Sequence, residues 1–133
     1  MSSAANFKLI LSGVADMLVD LGFRRKGAWF TKCLPDSKFF TCIHLRKIPQ
    51  FATKRTVFQI VSYAGIRPTE ETIAISSLDQ ALSLASFEHH IVENQMEKFW
   101  TVWPSSNVDE MIETLNTQIR VHSIAVLEEF SSK

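Results

Sequence analysis

Cys33, Cys42 and His44 come nearest, by type and spacing, to residues that could do chemistry in this chain. A thiolate and an imidazole can share a zinc ion, or act as nucleophile and base. Cys42 and His44 are two residues apart, so an extended segment turns both to one face, and a hairpin would bring Cys33 alongside. Zinc needs a third and fourth ligand, and none is evident. A thiol enzyme needs Cys and His in hydrogen-bond reach, an orienting third group and an oxyanion site. Side chains two apart on one strand sit too far apart for a direct bond, and the remaining parts are missing. The expectation is no metal, no cofactor and no catalytic set, with Cys42 and His44 as packing or binding residues.

The other titratable groups read the same way. His89-His90 could serve acid–base chemistry or pH sensing, but an exposed or half-buried pair in a connection is the commoner outcome. His122 falls on the apolar stripe of a helix and reads as a core or groove residue. Glu70-Glu71, Asp109-Glu110 and Glu128-Glu129 belong to helix ends or solvated faces. With four glycines in all and no Gly-rich phosphate loop, the usual nucleotide-binding enzymes are disfavoured. Arg24-Arg25-Lys26 is the one compact basic run. Its plain role is a solvated turn beside a helix C-terminus, where cations gain about 0.3–1 kcal/mol. Its functional role is an anion or acidic-partner site, helped by Trp29 and Arg46-Lys47 if strands bring them together.

These residues need elements to hold them. Phe7, Ile10, Leu11, Val14, Met17, Leu18 and Leu21 make one apolar stripe on a helix from about residue 4 to 21. Gly22 supplies a left-handed stop, after which Phe23 can fold back on Leu18. Ala28 to Leu34, Phe39 to Ile48 and Thr56 to Ala64 are rich in aromatic and β-branched residues and predict an antiparallel meander. Pro35-Asp36-Ser37 predicts the first turn. In the second strand Phe39, Thr41, Ile43 and Leu45 point one way, and Phe40, Cys42, His44 and Arg46 the other. Ser77 to Gln80 resembles a capping box before a short helix. Phe99 to Trp103 predicts a strand closed by Pro104, with Trp100 and Trp103 on opposite faces. Asn107 and Glu110 cap a last helix of about 22 residues whose stripe begins at Val108.

The 133 residues fit one domain, 1–133, and ten Phe with three Trp supply a core. Fourteen Lys and Arg balance fourteen Asp and Glu, which argues against a nucleic-acid or anionic-membrane binder. Two cysteines are too few for a disulfide framework. The N-terminal residues lack a charged region and a continuous apolar run, and no apolar stretch approaches a membrane span. The expected location is cytoplasmic.

The order of these features resembles the bacterial domain of unknown function family 4304. The likeness lies in Leu21-Gly22-Phe23-Arg24-Arg25-Lys26-Gly27-Ala28-Trp29-Phe30, Ile43-His44-Leu45-Arg46-Lys47, Phe58-Gln59-Ile60 through Gly65-Ile66, and Trp100-Thr101-Val102-Trp103. It implies an α+β architecture and brings no established activity. Family members often carry a Gln-basic-Ser end on the second strand and an Asn in the third. Here those places read Leu45-Arg46-Lys47-Ile48 and Ile60-Val61-Ser62-Tyr63, so a site built from the family's polar residues is altered or lost in this chain.

The fold expected is α+β: a single antiparallel sheet of four to five strands, with the N-terminal and C-terminal helices packed on one face. The other face would stand open. The first functional expectation is an interaction module, such as an immunity or accessory protein. It would bind a protein or peptide through that open face and the basic corner, using Arg24, Arg25, Lys26, Trp29, Phe40, Cys42, His44 and Arg46. The second is an enzyme or small-ligand binder with an outer-face pocket holding Cys42, His44 and Arg46. The third is a homodimeric, secretion-chaperone-like scaffold.

Overall fold

Ser2 opens the first helix by accepting a hydrogen bond from the Ala5 backbone N–H at 3.0 Å. In the computed structural model, which describes residues 2–33, 37–49, 54–67 and 73–132, this helix (α1) runs Ser3–Asp20. Its end follows from Gly22, whose φ of 97° is open to glycine at no steric cost. The Phe23 N–H donates to the Leu18 carbonyl and the Gly22 N–H to the Val19 carbonyl, both at 3.0 Å. That pair of bonds is a Schellman ending, and Phe23 and Leu18 both enter the core behind it.

Strands follow at Arg24–Lys26 (β1), Trp29–Cys33 (β2), Phe39–Ile48 (β3) and Thr56–Ile66 (β4). After a short helix at Leu78–Leu84 (α2) come Phe87–His90 (β5), Val92–Glu93 (β6), Met96–Glu97 (β7) and Trp100–Val102 (β8). The sheet is antiparallel in the order β1-β2-β3-β4-β5, and β8 pairs with β4 beside β5. β6 and β7 form a separate hairpin turned by Asn94 and Gln95, both at positive φ. The expected turn at Pro35-Asp36-Ser37 lies largely outside the described residues.

The chain closes with one long helical run. Asn107 accepts from the Glu110 N–H at 3.1 Å and starts α3 (Val108–Gln118). A π-helical stretch at Ile119–Ile124 leads into α4 (Ala125–Ser131). The N-terminal and C-terminal helices cover one face of the sheet. Phe30, Ile43, Leu45, Phe58 and Ile60 meet Ile10, Val14, Leu18, Leu115 and Ile119 there, all 0–1% exposed. Trp100 joins this inner core, while Trp103 stays 45% exposed with the Arg55 guanidinium over its ring.

The outer face corrects one expectation: it is not left open. Residues 73–86 cross it, and Ile75 and Ala81 pack against Trp29, Phe40, Cys42, Val61 and Tyr63. The cover is anchored where the Ile75 N–H donates to the buried Thr31 hydroxyl at 2.9 Å. Gly65 permits the close approach, since a Cβ at that position would stand 2.5 Å from the Leu84 carbonyl oxygen. Every residue from Val57 to Gly65 is consequently buried.

Candidate functional site

Cross-strand partners project to the same side of a sheet, so the register places the candidate residues. Lys26, Trp29, His44, Val61 and His90 form one row across β1 to β5 on the outer face. Arg24, Thr31, Cys42, Tyr63 and Glu88 form the next row. Arg46 lies beyond His44 on the same face, opposite Gln59. Arg25 pairs with Phe30 and therefore leaves toward the helix side, where its Nε donates to the Gly27 carbonyl at 2.9 Å.

Five of the eight residues singled out from the sequence, Arg24, Lys26, Trp29, His44 and Arg46, thus share one region. Trp29 and His44 form its centre, stacked with ring centroids 3.6 Å apart and planes 7° from parallel. Burial, then the neighbouring Arg46, lowers the His44 pKa to about 4, so the imidazole is neutral at pH 7. Arg24 and Lys26 are exposed and Arg46 is half-exposed. No described carboxylate lies within ion-pair distance of any of the three.

The same face is acidic on its far side. The His90 Nε2 lies 2.9 Å from Glu88, and its Nδ1 lies 3.6 Å from Glu97. Gln59 donates to the second Glu97 oxygen at 2.9 Å. Between the two ends sit two buried polar atoms without a hydrogen-bond partner among the described residues, His44 Nδ1 and the Tyr63 hydroxyl. Burial first, and then Glu88, pushes the Tyr63 pKa up to about 12. His89 points to the inner face instead, and burial, then His122 and His90, lowers its pKa.

Phe40 and Cys42 are corrections to the expected binding surface. Both are 0% exposed, because Ile75, Ala81 and the residues around them close over this end of the face. Burial raises the Cys42 thiol to about 12, although the Thr31 hydroxyl lies 3.9 Å from its sulfur. A thiol so placed is protonated and out of reach of a substrate. Cys33 is half-buried with its sulfur 3.9 Å from the Ile73 carbonyl oxygen. Among the described residues no group of three His, Cys, Asp or Glu side chains is placed to hold a metal. A groove of about 300 Å3 between α2 and β5 touches Tyr63 and Glu88 but does not reach Cys42, His44 or Arg46.

β1 is one of the elements that the sequence reading does not predict. Arg-Arg-Lys has weak strand propensity, and only Gly27, at φ 59°, signals the two-residue turn that folds it back on β2. As the outermost strand it also gains from its charges, which discourage edge-to-edge pairing with another chain. Among the described residues no helix is long and apolar enough to cross a membrane.

No family model matches the chain, and no curated protein or solved structure matches it either.

Proposed function

We propose that this protein is a non-catalytic binding module that takes an acidic, extended segment of a partner protein across the cationic half of its outer face. The observation that carries the reading is the grouping of Arg24, Lys26 and Arg46 around the Trp29–His44 stack, with no described carboxylate paired to them. Arginine donates two parallel N–H bonds to a carboxylate, and such charge-assisted bonds are about twice as strong as neutral ones. With Trp29 8% exposed, the stacked pair acts as a rigid floor that holds His44 between the cations, so little ordering is lost on binding. The acidic side of the face, Glu88 and Glu97, would repel the same segment and set its position. The sealed, protonated Cys42 favours binding over thiol chemistry. Both cysteines are free thiols, which supports a reducing, cytoplasmic setting.

The test is an NMR titration of the isotopically labelled protein with a hexaglutamate peptide at low salt. Shifts are expected at the Trp29 indole N–H and the Arg24, Lys26 and Arg46 amides. They should vanish in the R24E/K26E/R46E variant and survive in K54E/R55E, which reverses cations elsewhere. Equal loss in both variants, or shifts centred away from Trp29, would contradict the proposal.

A further inference from the structure

A second site lies on the other side of the sheet. Where α1 ends and α4 passes over β2 and β3, the helices leave a cavity of about 290 Å3. Its apolar lining is Leu21, Phe23, Phe39, Ile124 and Leu127, of which Phe23 and Leu127 are 5% and 2% exposed. The space corresponds to roughly ten waters, at the lower end of the range for small-molecule sites. It suits an occupant the size of one amino acid better than a nucleotide.

The charges on its walls are more specific than its size. Lys32 lines it from β2 and Glu128 from α4. These opposite charges face one cavity yet do not come within 4.0 Å of each other, and neither is paired with another described residue. The Lys32 ammonium lies 5.7 Å from the centre of the Phe23 ring, at the edge of the apolar lining. Ser37 sits on the same wall as Lys32. Its oxygen accepts the Phe39 N–H at 3.1 Å, a bond that does not use its hydroxyl proton. Glu128 is exposed on α4, and Ser131 and Ser132 line the space further along the same helix end.

A simple carboxylic acid would meet Glu128, and a simple amine would meet Lys32, each at a like-charge cost. A molecule with both charges and an apolar body satisfies all three parts of the lining. The geometry points to this cavity as a binding site for a free apolar α-amino acid. Its carboxylate would face Lys32 and Ser37, its ammonium Glu128, and its side chain Phe23, Phe39 and Leu127. The site is separate from the outer face, so it stands or falls independently of the acidic-segment reading.

Calorimetry with the full chain tests it, using L-phenylalanine, N-acetyl-phenylalanine and phenylalaninamide as probes. The free amino acid should bind, and each singly charged analogue should bind at least about tenfold more weakly, a difference of 1.4 kcal/mol. K32M should erase the preference for phenylalanine over its amide, and E128Q the preference over its acetyl form. Both positions are on the rim, and melting curves will show that the variants fold. Methyl resonances of Ile124 and Leu127 should shift in the same titration. No binding at about 10 mM, equal binding of a singly charged analogue, or shifts away from Ile124 and Leu127 would overturn the assignment.

Discussion

The two halves of the outer sheet face are built from the same five strands and differ in what lies over them. Around Phe40, Cys42 and Ile75 the face is a small second core, closed by residues 73–86 and 0% exposed. Two residues further along β3, His44 and Arg46 reach the surface with Arg24 and Lys26, while Trp29, 8% exposed, belongs to the second core and marks its boundary. One covering segment of limited length decides which half is sealed and which stays accessible. The chemistry-bearing types Cys42 and His44 are split by that boundary, so their shared face does not make a shared site.

Substitutions can break this division at the point where it is strongest. Phe40→Ala removes a fully buried ring from the sealed half and should cost about 3–5 kcal/mol, as Phe30→Ala should in the inner core. Urea unfolding would show it; a loss under about 1 kcal/mol would mean that the cover does not pack as described.

Acid should expose the boundary residue itself. The folded His44 value of about 4 lies below its ordinary 6.5, so between these pH values the unfolded chain binds the proton more readily. Stability is then constant above pH 6.5 on this account and falls as the pH drops toward 4, by up to about 3 kcal/mol. His89, lowered for the same reason, adds to the slope in the same direction. His44→Gln should remove His44's share of the pH dependence, read from unfolding midpoints at pH 7 and 4.5.

Smaller effects sharpen the comparison. Thr31→Val keeps the shape but leaves the buried Ile75 N–H without an acceptor, and should cost about 1–3 kcal/mol. Charge reversal of Arg24 and Lys26 in the open half should change stability by less than about 0.5 kcal/mol, because exposed cations without partners contribute little. That last pair should alter acidic-peptide binding and almost nothing else.

Much of the scaffold was legible because local signals and tertiary packing agree. The stripe of α1 from Phe7 to Leu18, the Gly22-Phe23 stop and the alternation of β3 all follow from spacing and are present, while Leu21 falls at the helix end and is 37% exposed. The capping pair Asn107 and Glu110 is likewise in place. The capping signal at Ser77 is modified, since the Gln80 side chain reaches back to the Ser76 N–H rather than to Ser77. β6 and β7 escaped notice because Asn94-Gln95 is a poor positive-φ pair by type, lacking the usual glycine.

The cover was the harder element. Residues 73–76 have no regular secondary structure and no periodicity, and their hold on the sheet comes from single contacts at Ile73 and Ile75, with Ala81 of α2 adding the next. One signal did point to it. Val57 to Gly65 is almost continuously apolar, which is the pattern of a strand buried on both faces rather than one. Read that way, β4 predicts that something must lie over Val61 and Tyr63. The same inference withdraws Phe40 and Cys42 from the exposed surface.

The division of the outer face is tested most directly by the reactivity of a single thiol. In a Cys33→Ser background, Cys42 is the lone cysteine, and a maleimide probe reports its exposure in the native protein. The account predicts labelling only at the rate at which the protein opens, accelerating through the urea transition. Labelling of native Cys42 at the rate of a free exposed thiol would show that the cover is not in place.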